Sequence, residues 1–567
     1  MAEVCLTYLN FDSINELSPS LDAAPAETRL LQYASSNWGL YADGELTEGV
    51  KSLALQLLAK FGRHISAKLL LWGKFREWER EGRYSEGFTG LHCAAYLGLD
   101  EIVIALFEVV EGCGVDMVDA SGRTPLAWAA ENGHEGIVKL LLDRKEVNPD
   151  SKDNHGQTPL QRAAEGGHEG VLKLLLDRKE VNPDSRDNYD HTPLWCAAEG
   201  RHERTAKLLL NREEVNPDSR DHHGQTPLQL AAKGGNEGIV KLLLDRKEVN
   251  PESRDNYGGT PLQSAAKGGH EVIVKLLLDR EEVNSDSRSD YGLRPLMCAA
   301  EGGHEGIVKL LLDWKKVNPS SGDYTGPPPL CCAAGAGHEG IVKLLLDRED
   351  VNPDSRDDYD QTPLLCAARG GHEGVVRLLL DQEEVNPDSR DLLRQTPLWC
   401  AAKGGCGEIV KLLLDRKEVN PDPRGIAGQT PLFRAALGGY VGIVKLLLDR
   451  KEVNPDSRDN DGKTPLWLAA LGGYEGIVKL LLDRKEVNPD SRDNGGKTPL
   501  QCAAEGGHEG IVKLFQGRSV PKRPVRPSFP QDETDAVFSS LARDGRWTVV
   551  RPNLCPGRTA GPYSLFE

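Results

Sequence analysis

The chain has 567 residues, and its 69 lysines and arginines against 87 aspartates and glutamates give a formal net charge of -18. An acidic surface repels phosphate backbones, so we expect no nucleic acid partner. No apolar run approaches the ~18 residues of a membrane helix, and the start Met-Ala-Glu-Val lacks the basic segment of a secretory signal. The 12 cysteines show no disulfide-scaffold spacing, which fits free thiols in a reducing compartment. The sequence therefore predicts an intracellular protein, in the cytoplasm or alternatively in the nucleus, with no membrane contact.

The first 85 residues do not repeat. Residues 50–71 are rich in apolar side chains and contain few helix breakers, which predicts a helix. Residues 1–85 are therefore interpreted as a small helical N-terminal region.

Residues 86–516 form a repeat whose pitch is 34 residues from Thr124 onwards, with an earlier, looser copy that begins at Thr89. Each copy carries a slot for Thr-Pro-Leu or a close variant, followed five and six residues later by a pair of alanines. The thirteen slots are at Thr89, Thr124, Thr158, Thr192, Thr226, Thr260, Arg294, Pro328, Thr362, Thr396, Thr430, Thr464 and Thr498.

One unit, residues 153–182, shows what each copy is expected to form. Residues 153–156 predict a tight turn in which Gly156 adopts a positive φ. Thr158 and Pro159 are typical of the cap and the first position of a helix. Gly166 and Gly167 would end this helix, and residues 169–176 have the apolar spacing of a second helix. A single unit is too small to bury its apolar face, so stacked units must share one core.

This pattern of turn, T-P-L-x-x-A-A, G-H-x-x-I-V-x-L-L-L and V-N resembles the ankyrin repeat. The resemblance implies an all-α solenoid of about 13 helix-turn-helix repeats over residues 86–516. The pitch exceeds the usual 33 residues, and the extra residue is expected in the Asn-Pro-Asp-Ser-Arg segment. The histidine that often follows T-P-L is replaced, for example by Gln161, Trp195, Gln229 and Trp467, which leaves the usual side-chain hydrogen bond at this corner open.

The resemblance implies that a protein partner lies across the turn tips and first helices, on the concave side of a monomer. Tyrosine suits such a face because it buries a large area and keeps one polar group. The alternative for each position is an exposed turn residue without a binding role. The candidate partner-binding residues are Arg123, Asn154, His155, Glu165, Tyr189, His191, Glu199, His222, His223, Lys233, Tyr257, Lys267, Tyr291 and Tyr359.

Motifs that could indicate catalysis are incomplete. The Gly-Lys-Thr sequences at 462–464 and 496–498 lack the glycine of a phosphate-binding loop, since Ser457 and Ser491 stand in its place. The recurring Gly-His-Glu lacks a second histidine four residues later, where Val138 and Val308 stand, so a zinc peptidase motif is not formed. We therefore expect no enzyme, no cofactor and no metal site.

Both ends of the chain carry separate signals. The sequences Val-Cys-Leu-Thr-Tyr-Leu at 4–9 and Leu-Gln-Tyr-Ala at 31–34, the latter leading to Asn-Trp-Gly at 37–39, resemble the connector that follows the NACHT domain in fungal NLR-like NACHT-ankyrin proteins. Residues 517–567 contain repeated prolines and a small basic cluster, which predict a disordered tail or alternatively a nuclear import signal. The leading hypothesis is a protein–protein interaction scaffold; the alternative is the sensor arm of a NACHT signalling NTPase without its catalytic domain.

Overall fold

The computed structural model describes residues 47–59, 87–109, 114–314, 317–319 and 326–517. The chain divides into two units, residues 1–515 and 516–567. The resemblance at residues 4–39, the predicted helix beyond residue 59 and the predicted tail from residue 518 lie outside the described residues. In the described ranges all regular structure is α-helical, in 27 helices without a strand, which confirms the all-α prediction.

Each of the thirteen repeats contributes a first helix and a second helix, and one further helix, Glu48–Ala59, precedes them. The first helices are Gly90–Leu97, Pro125–Asn132, Pro159–Gly166, Pro193–Glu199, Pro227–Gly234, Pro261–Gly268, Pro295–Gly302, Pro329–Ala336, Pro363–Gly370, Pro397–Gly404, Pro431–Gly438, Pro465–Leu471 and Pro499–Glu505. The second helices are Asp100–Val109, Glu135–Leu142, Glu169–Leu176, Glu203–Leu210, Glu237–Leu244, Glu271–Leu278, Glu305–Asp313, Glu339–Leu346, Glu373–Leu380, Gly407–Leu414, Val441–Leu448, Glu475–Leu482 and Glu509–Gln516.

The start and stop signals of the representative unit act as the sequence predicts. The Thr158 hydroxyl accepts a hydrogen bond from the Gln161 backbone N–H at 3.3 Å, and Pro159 occupies the first helical position. Gly167 ends the helix with a φ of 72°, a conformation that costs glycine nothing. The turn glycine Gly156 has a φ of 78°. Local chemistry therefore sets the length of each first helix.

The corner hydrogen bond left open by the missing histidine is kept wherever glutamine replaces it. The Gln161 side chain accepts from the Thr158 N–H at 2.9 Å and donates to the His191 carbonyl of the next repeat at 2.7 Å. His92 makes the equivalent contact in repeat 1, with Nε2 3.1 Å from the Arg123 carbonyl oxygen. The indole N–H of Trp195, in contrast, is buried without a hydrogen-bond partner. The replacements thus preserve the link between repeats at some corners and lose it at others.

A second link between repeats comes from the histidine of Gly-His-Glu. The His134 Nε2 lies 3.0 Å from the Tyr96 carbonyl oxygen, and the His168 Nε2 lies 2.9 Å from that of Glu131. Because a carbonyl only accepts, each Nε2 carries the proton and donates. The same contact recurs at His202, His270, His304, His338, His372 and His508. In the repeats that have this histidine, it therefore ties the repeat to the one before it.

The hydrophobic core runs through the whole stack. The alanine pairs of the first helices and side chains such as Ile137, Val138 and Leu141 of the second helices are fully buried. Helix Glu48–Ala59 adds Val50 and other side chains to the same core and covers the first repeat. Burial of apolar surface between neighbours is the main stabilising contribution in a stacked array of this kind.

Candidate functional site on the turn tips

The turn before most of the first helices is held by an aspartate, which is buried in the representative unit. The Asp153 Oδ1 accepts from the backbone N–H groups of His155 and Gln157, both at 2.9 Å. Consecutive turns are also joined to one another, since the Asn154 N–H donates to the Ser121 carbonyl and the Asn188 N–H to that of His155, both at 2.9 Å. We call the exposed side chains of these turns, with the exposed residues at the C-terminal ends of the first helices, the tip face. Its backbone is fixed by hydrogen bonds, so its side chains are presented at set positions.

Four of the predicted residues come together in repeats 4 and 5. The His191 ring stacks on Trp195 with 3.6 Å between the ring centroids, and Tyr189 lies 5.7 Å from His191 and 5.4 Å from His222. The rings of His222 and His223 are 3.8 Å apart. His191 Nδ1 also lies 3.1 Å from Asp187 Oδ2. These contacts build an aromatic cluster on the tip face.

Further along the array the tyrosines are more widely spaced. Tyr257 and Tyr291 lie in adjacent repeats with 6.1 Å between their ring centroids. Tyr359 lies in a turn between Asp358 and Asp360 and is 59% exposed. The tip face therefore exposes aromatic area well beyond the cluster.

The remaining predicted residues differ in whether their side chains already make contacts within the fold. Asn154 and His155 are exposed in one turn, but the Asn154 side-chain amide donates to the Ala120 carbonyl at 2.9 Å and so supports the stack. Four charged residues are exposed near the ends of successive first helices, namely Glu165, Glu199, Lys233 and Lys267. Burial raises the pKa of the Glu199 carboxyl. The charge at this position thus changes sign along the array.

The sequence predicts that Arg123 is exposed among the candidate partner-binding residues, and this prediction is wrong. Arg123 is 8% exposed, and its Nη1 lies 2.9 Å from Glu131 Oε2. The guanidinium carbon lies 4.6 Å from the centre of the Trp128 ring. A planar guanidinium packs well between an aromatic face and a carboxylate, so Arg123 supports repeat 2.

Comparison with known proteins agrees with this architecture. The family model "Ankyrin repeats (3 copies)" matches residues 91–187, 179–255, 247–323, 315–391, 382–459 and 440–521, which together cover well over half of the chain. The chain belongs to the ankyrin repeat family. Members of this family are in general binding scaffolds, and membership indicates a protein–protein interaction module with protein partners.

Individual relatives match only short stretches of the ankyrin array. Rabankyrin-5 of Mus musculus is 42% identical over 71 residues, which are 12% of this chain and 6% of the relative. The B-cell lymphoma 3 protein homolog of Mus musculus is 46% identical over 63 residues, or 11% of this chain and 14% of the relative. Rabankyrin-5 of Homo sapiens is 40% identical over 72 residues, or 13% and 6%. The chain thus spans a small part of each relative.

Sequence reasoning missed a set of exposed aliphatic residues on the ankyrin tip face. Leu392, Leu393 and Ile426 lie in the turns of repeats 10 and 11, and Leu437 and Leu471 lie at the first-helix position of Glu165. The signal was available, because Leu392 and Ile426 occupy the turn position that is Asn154 or its equivalent in other ankyrin repeats.

The opposite face of the array, formed by the second helices, pairs a part of its own charges. Lys173 Nζ lies 2.6 Å from Glu169 Oε1, one helical turn away. Arg178 Nη2 lies 3.1 Å from Asp143 Oδ1 of the preceding repeat. The same arrangements recur along the array. Each exposed pair contributes about 0–1 kcal/mol, so their main consequence is that part of the charge on this face is already paired.

The residues of the incomplete Gly-Lys-Thr motif have structural roles in the ankyrin repeats. Lys463 Nζ lies 3.0 Å from Asp461 Oδ2, and Thr464 caps a first helix. Burial raises the pKa of the Cys400 thiol to about 11, so this thiol stays protonated near neutral pH. Among the described residues no three His, Cys, Asp or Glu side chains are grouped to hold a metal. Within the same ranges no helix combines the length and apolar character that a bilayer crossing requires.

Proposed function

We propose that the chain is a scaffold or recognition module that binds a protein partner across its tip face. The observation that carries the proposal is the contrast between the two faces of the array. The second-helix segment Gly-Ile-Val-Lys-Leu-Leu-Leu-Asp-Arg-Lys-Glu-Val-Asn occurs verbatim at residues 136, 238, 442 and 476. Its aspartate pairs with an arginine of the next repeat at Asp143, Asp245 and Asp449. The tip face varies from repeat to repeat and exposes the aromatic cluster and further tyrosines.

Aromatic side chains are suited to this role because each buries a large area at a modest entropic cost. Of the fourteen candidate residues, Arg123 is excluded from the proposed contact by its burial. The proposal otherwise keeps the candidate set, with the tyrosines as the principal contacts. It also takes the chain to be a monomer without catalytic activity, located in the cytoplasm or alternatively in the nucleus.

The experiment compares proteins captured from native cells by the full chain and by two variants, using quantitative mass spectrometry. The test variant replaces the exposed tyrosines by serine, at Tyr189, Tyr257, Tyr291 and Tyr359. The control variant replaces exposed lysines in the turns after second helices by serine, at Lys179, Lys247, Lys417 and Lys451. We expect the test variant to lose a defined partner that the control keeps, while both melt like the parent chain because surface changes usually stay within roughly ±0.5 kcal/mol.

Two results would count against the proposal. The captured set could be the same for the parent and the tyrosine variant, in which case the tyrosines make no contact with a partner. Alternatively the tyrosine variant could melt much earlier than the lysine control, in which case the tyrosines act in folding.

The alternative function, the sensor arm of a NACHT signalling NTPase, depends on the resemblance at residues 4–39. In that case residues 1–85 would form the connector, 86–516 the sensing array and 517–567 a tail. The test is the transcript: an upstream reading frame that encodes a phosphate-binding loop in the same message would favour this function over a free-standing scaffold.

A further inference from the structure

The turns of repeats 10 and 11 lack a contact that recurs in several other turns of the array. In five of the described turns an asparagine donates its side-chain amide to the preceding turn, as Asn188 does to the Asn154 carbonyl at 3.0 Å. Leu392 and Ile426 occupy this position in repeats 10 and 11, where they have no amide to donate, and they are 57% and 58% exposed. Both residues thus give up a stabilising contact and place an aliphatic side chain in water.

Arg394 departs from the framework in a second way. It has a φ of 55°, at the turn position that is Gly156 or another glycine in most repeats. This left-handed conformation is unfavourable for a side chain such as arginine. Backbone strain of this kind persists where it is useful, and it is often found at binding sites. The arginine is exposed to solvent, so its side chain offers the fold no buried contact in return.

Two further cations lie beside these turns, around Trp399. The Lys403 Nζ is 5.6 Å and the Arg434 guanidinium carbon 4.7 Å from the centre of its ring. The Nε of Arg434 is buried and has no hydrogen-bond partner. In the part of the chain that the structure describes, Arg394, Lys403 and Arg434 make no ion pair, whereas Lys173 and Arg178 of the second-helix face do. Three positive charges are therefore available to an external group.

The carboxylates nearest these cations are engaged or lie at the margins. Asp391 is buried, accepts from the N–H groups of Leu393 at 2.9 Å and Gln395 at 2.7 Å, and pairs with Arg369 at 3.1 Å. Exposed carboxylates begin only in the turns of repeats 9 and 12, at Asp358, Asp360 and Asp461. We call the area between them the basic–apolar surface; its residues are Leu392, Leu393, Arg394, Lys403, Ile426, Arg434 and Leu437.

We propose that the basic–apolar surface binds a segment of a partner protein in which acidic residues are interspersed with aliphatic ones. This rests on the proposed function and names the chemistry of the partner at repeats 10 and 11. Carboxylates of the segment would approach Arg394, Lys403 and Arg434, and its aliphatic side chains would cover Leu392, Leu393 and Ile426. The chain as a whole carries a charge of -18 and repels acidic molecules. An acidic segment is therefore held only where the local charge is reversed, which makes the site selective.

The test uses the full chain and a variant that restores the framework, Leu392→Asn with Arg394→Gly and Ile426→Asn. The probe is a short fluorescent peptide that alternates glutamate and leucine, compared with peptides that alternate lysine and leucine or glutamate and serine. We expect the chain to bind the first peptide in preference to the other two, and the variant to bind it roughly tenfold more weakly or worse. The thermal midpoint of the variant should stay the same or rise, because asparagine and glycine suit these turns. A purely structural role would lower it.

A control variant separates this proposal from the wider one. Lys179→Ser with Lys247→Ser removes exposed cations from turns after second helices, outside both contact surfaces, and should leave peptide binding unchanged. The tyrosine-to-serine variant described above could lose the native partner and still bind the peptide. That result would concern the proposed function and would leave this inference untouched.

The inference is overturned by any of four results. The framework-restoring variant could bind the acidic peptide as well as the parent does, or it could melt at a clearly lower temperature. A single-stranded oligonucleotide of the same charge could bind as tightly as the peptide, which would indicate a general anion surface. Finally, light scattering could show a dimer of the parent chain that the variant abolishes, which would assign the surface to a second copy of the chain.

Discussion

Replacing Leu141 by alanine should destabilise the second ankyrin repeat strongly, whereas the same change at the adjacent Leu140 should not. Leu141 is fully buried in the core, and Leu140 is only partly buried. The change at Leu141 removes the equivalent of three methylene groups, or about 2.4 kcal/mol at ~0.8 kcal/mol each. A residual cavity of roughly 50 Å³ adds about 1 kcal/mol at ~24 cal/mol per Å³. We therefore expect a loss of about 3–4 kcal/mol for Leu141→Ala and about 1 kcal/mol for Leu140→Ala.

The assay is urea unfolding followed by circular dichroism, combined with hydrogen exchange read by mass spectrometry. Because each repeat is stabilised by its neighbours, exchange should accelerate in repeats 1 to 3 and change little in repeats 10 to 13. Equal losses for the two leucines would show that burial in the second helix does not set stability. Uniform acceleration along the chain would show that the array unfolds as one unit, contrary to the nearest-neighbour reasoning.

Two further predictions concern the links between repeats. Gln229→Ala should lower the free energy of unfolding by about 2–4 kcal/mol, because the buried Gln229 amide accepts from the Thr226 N–H and donates to the Gly259 carbonyl. Denaturant unfolding measures this loss. An equal loss for the control Gln225→Ala, whose side chain makes no such contacts, would contradict the prediction. Asp218→Asn should raise the melting temperature at pH 7 but not near pH 3. Burial raises the pKa of the Asp218 carboxyl above its usual value near 3.8, so the folded state binds its proton more tightly, and stability falls as the pH rises from the unfolded pKa through the folded one. A midpoint difference that is the same at both pH values would refute this assignment.

The repeat itself was predictable because its signals are local. Thr158, Pro159 and Gly167 act through the backbone of their own helix, so their identities alone indicate where that helix begins and ends. The corner hydrogen bond was not predictable in the same way. Gln161 reaches a carbonyl 30 residues later, and whether glutamine or tryptophan makes this contact depends on the position of the next repeat.

The tip face shows the same division. Tyr189, Tyr257, Tyr291 and Tyr359 are exposed because their positions in the turn point them to solvent, which the periodicity was enough to predict. Arg123 holds a comparable turn position, but the tryptophan at 128 and the glutamate at 131 draw its side chain into the repeat. Such a contact depends on the residues of one particular repeat, and an average pattern does not contain it.

Several contacts that join neighbouring repeats, such as the hydrogen bond from the histidine of Gly-His-Glu, recur at many of the described junctions. A whole repeat that carries these contacts could be removed or inserted between repeats 5 and 10 and form junctions of the same kind. Every such event moves the aromatic cluster and the basic–apolar surface apart or together by one helix spacing, roughly 10 Å. A change in the number of repeats would therefore change the distance between the two contact surfaces and leave both surfaces unaltered. Partners whose contact points are spaced differently could then be bound by arrays of different length.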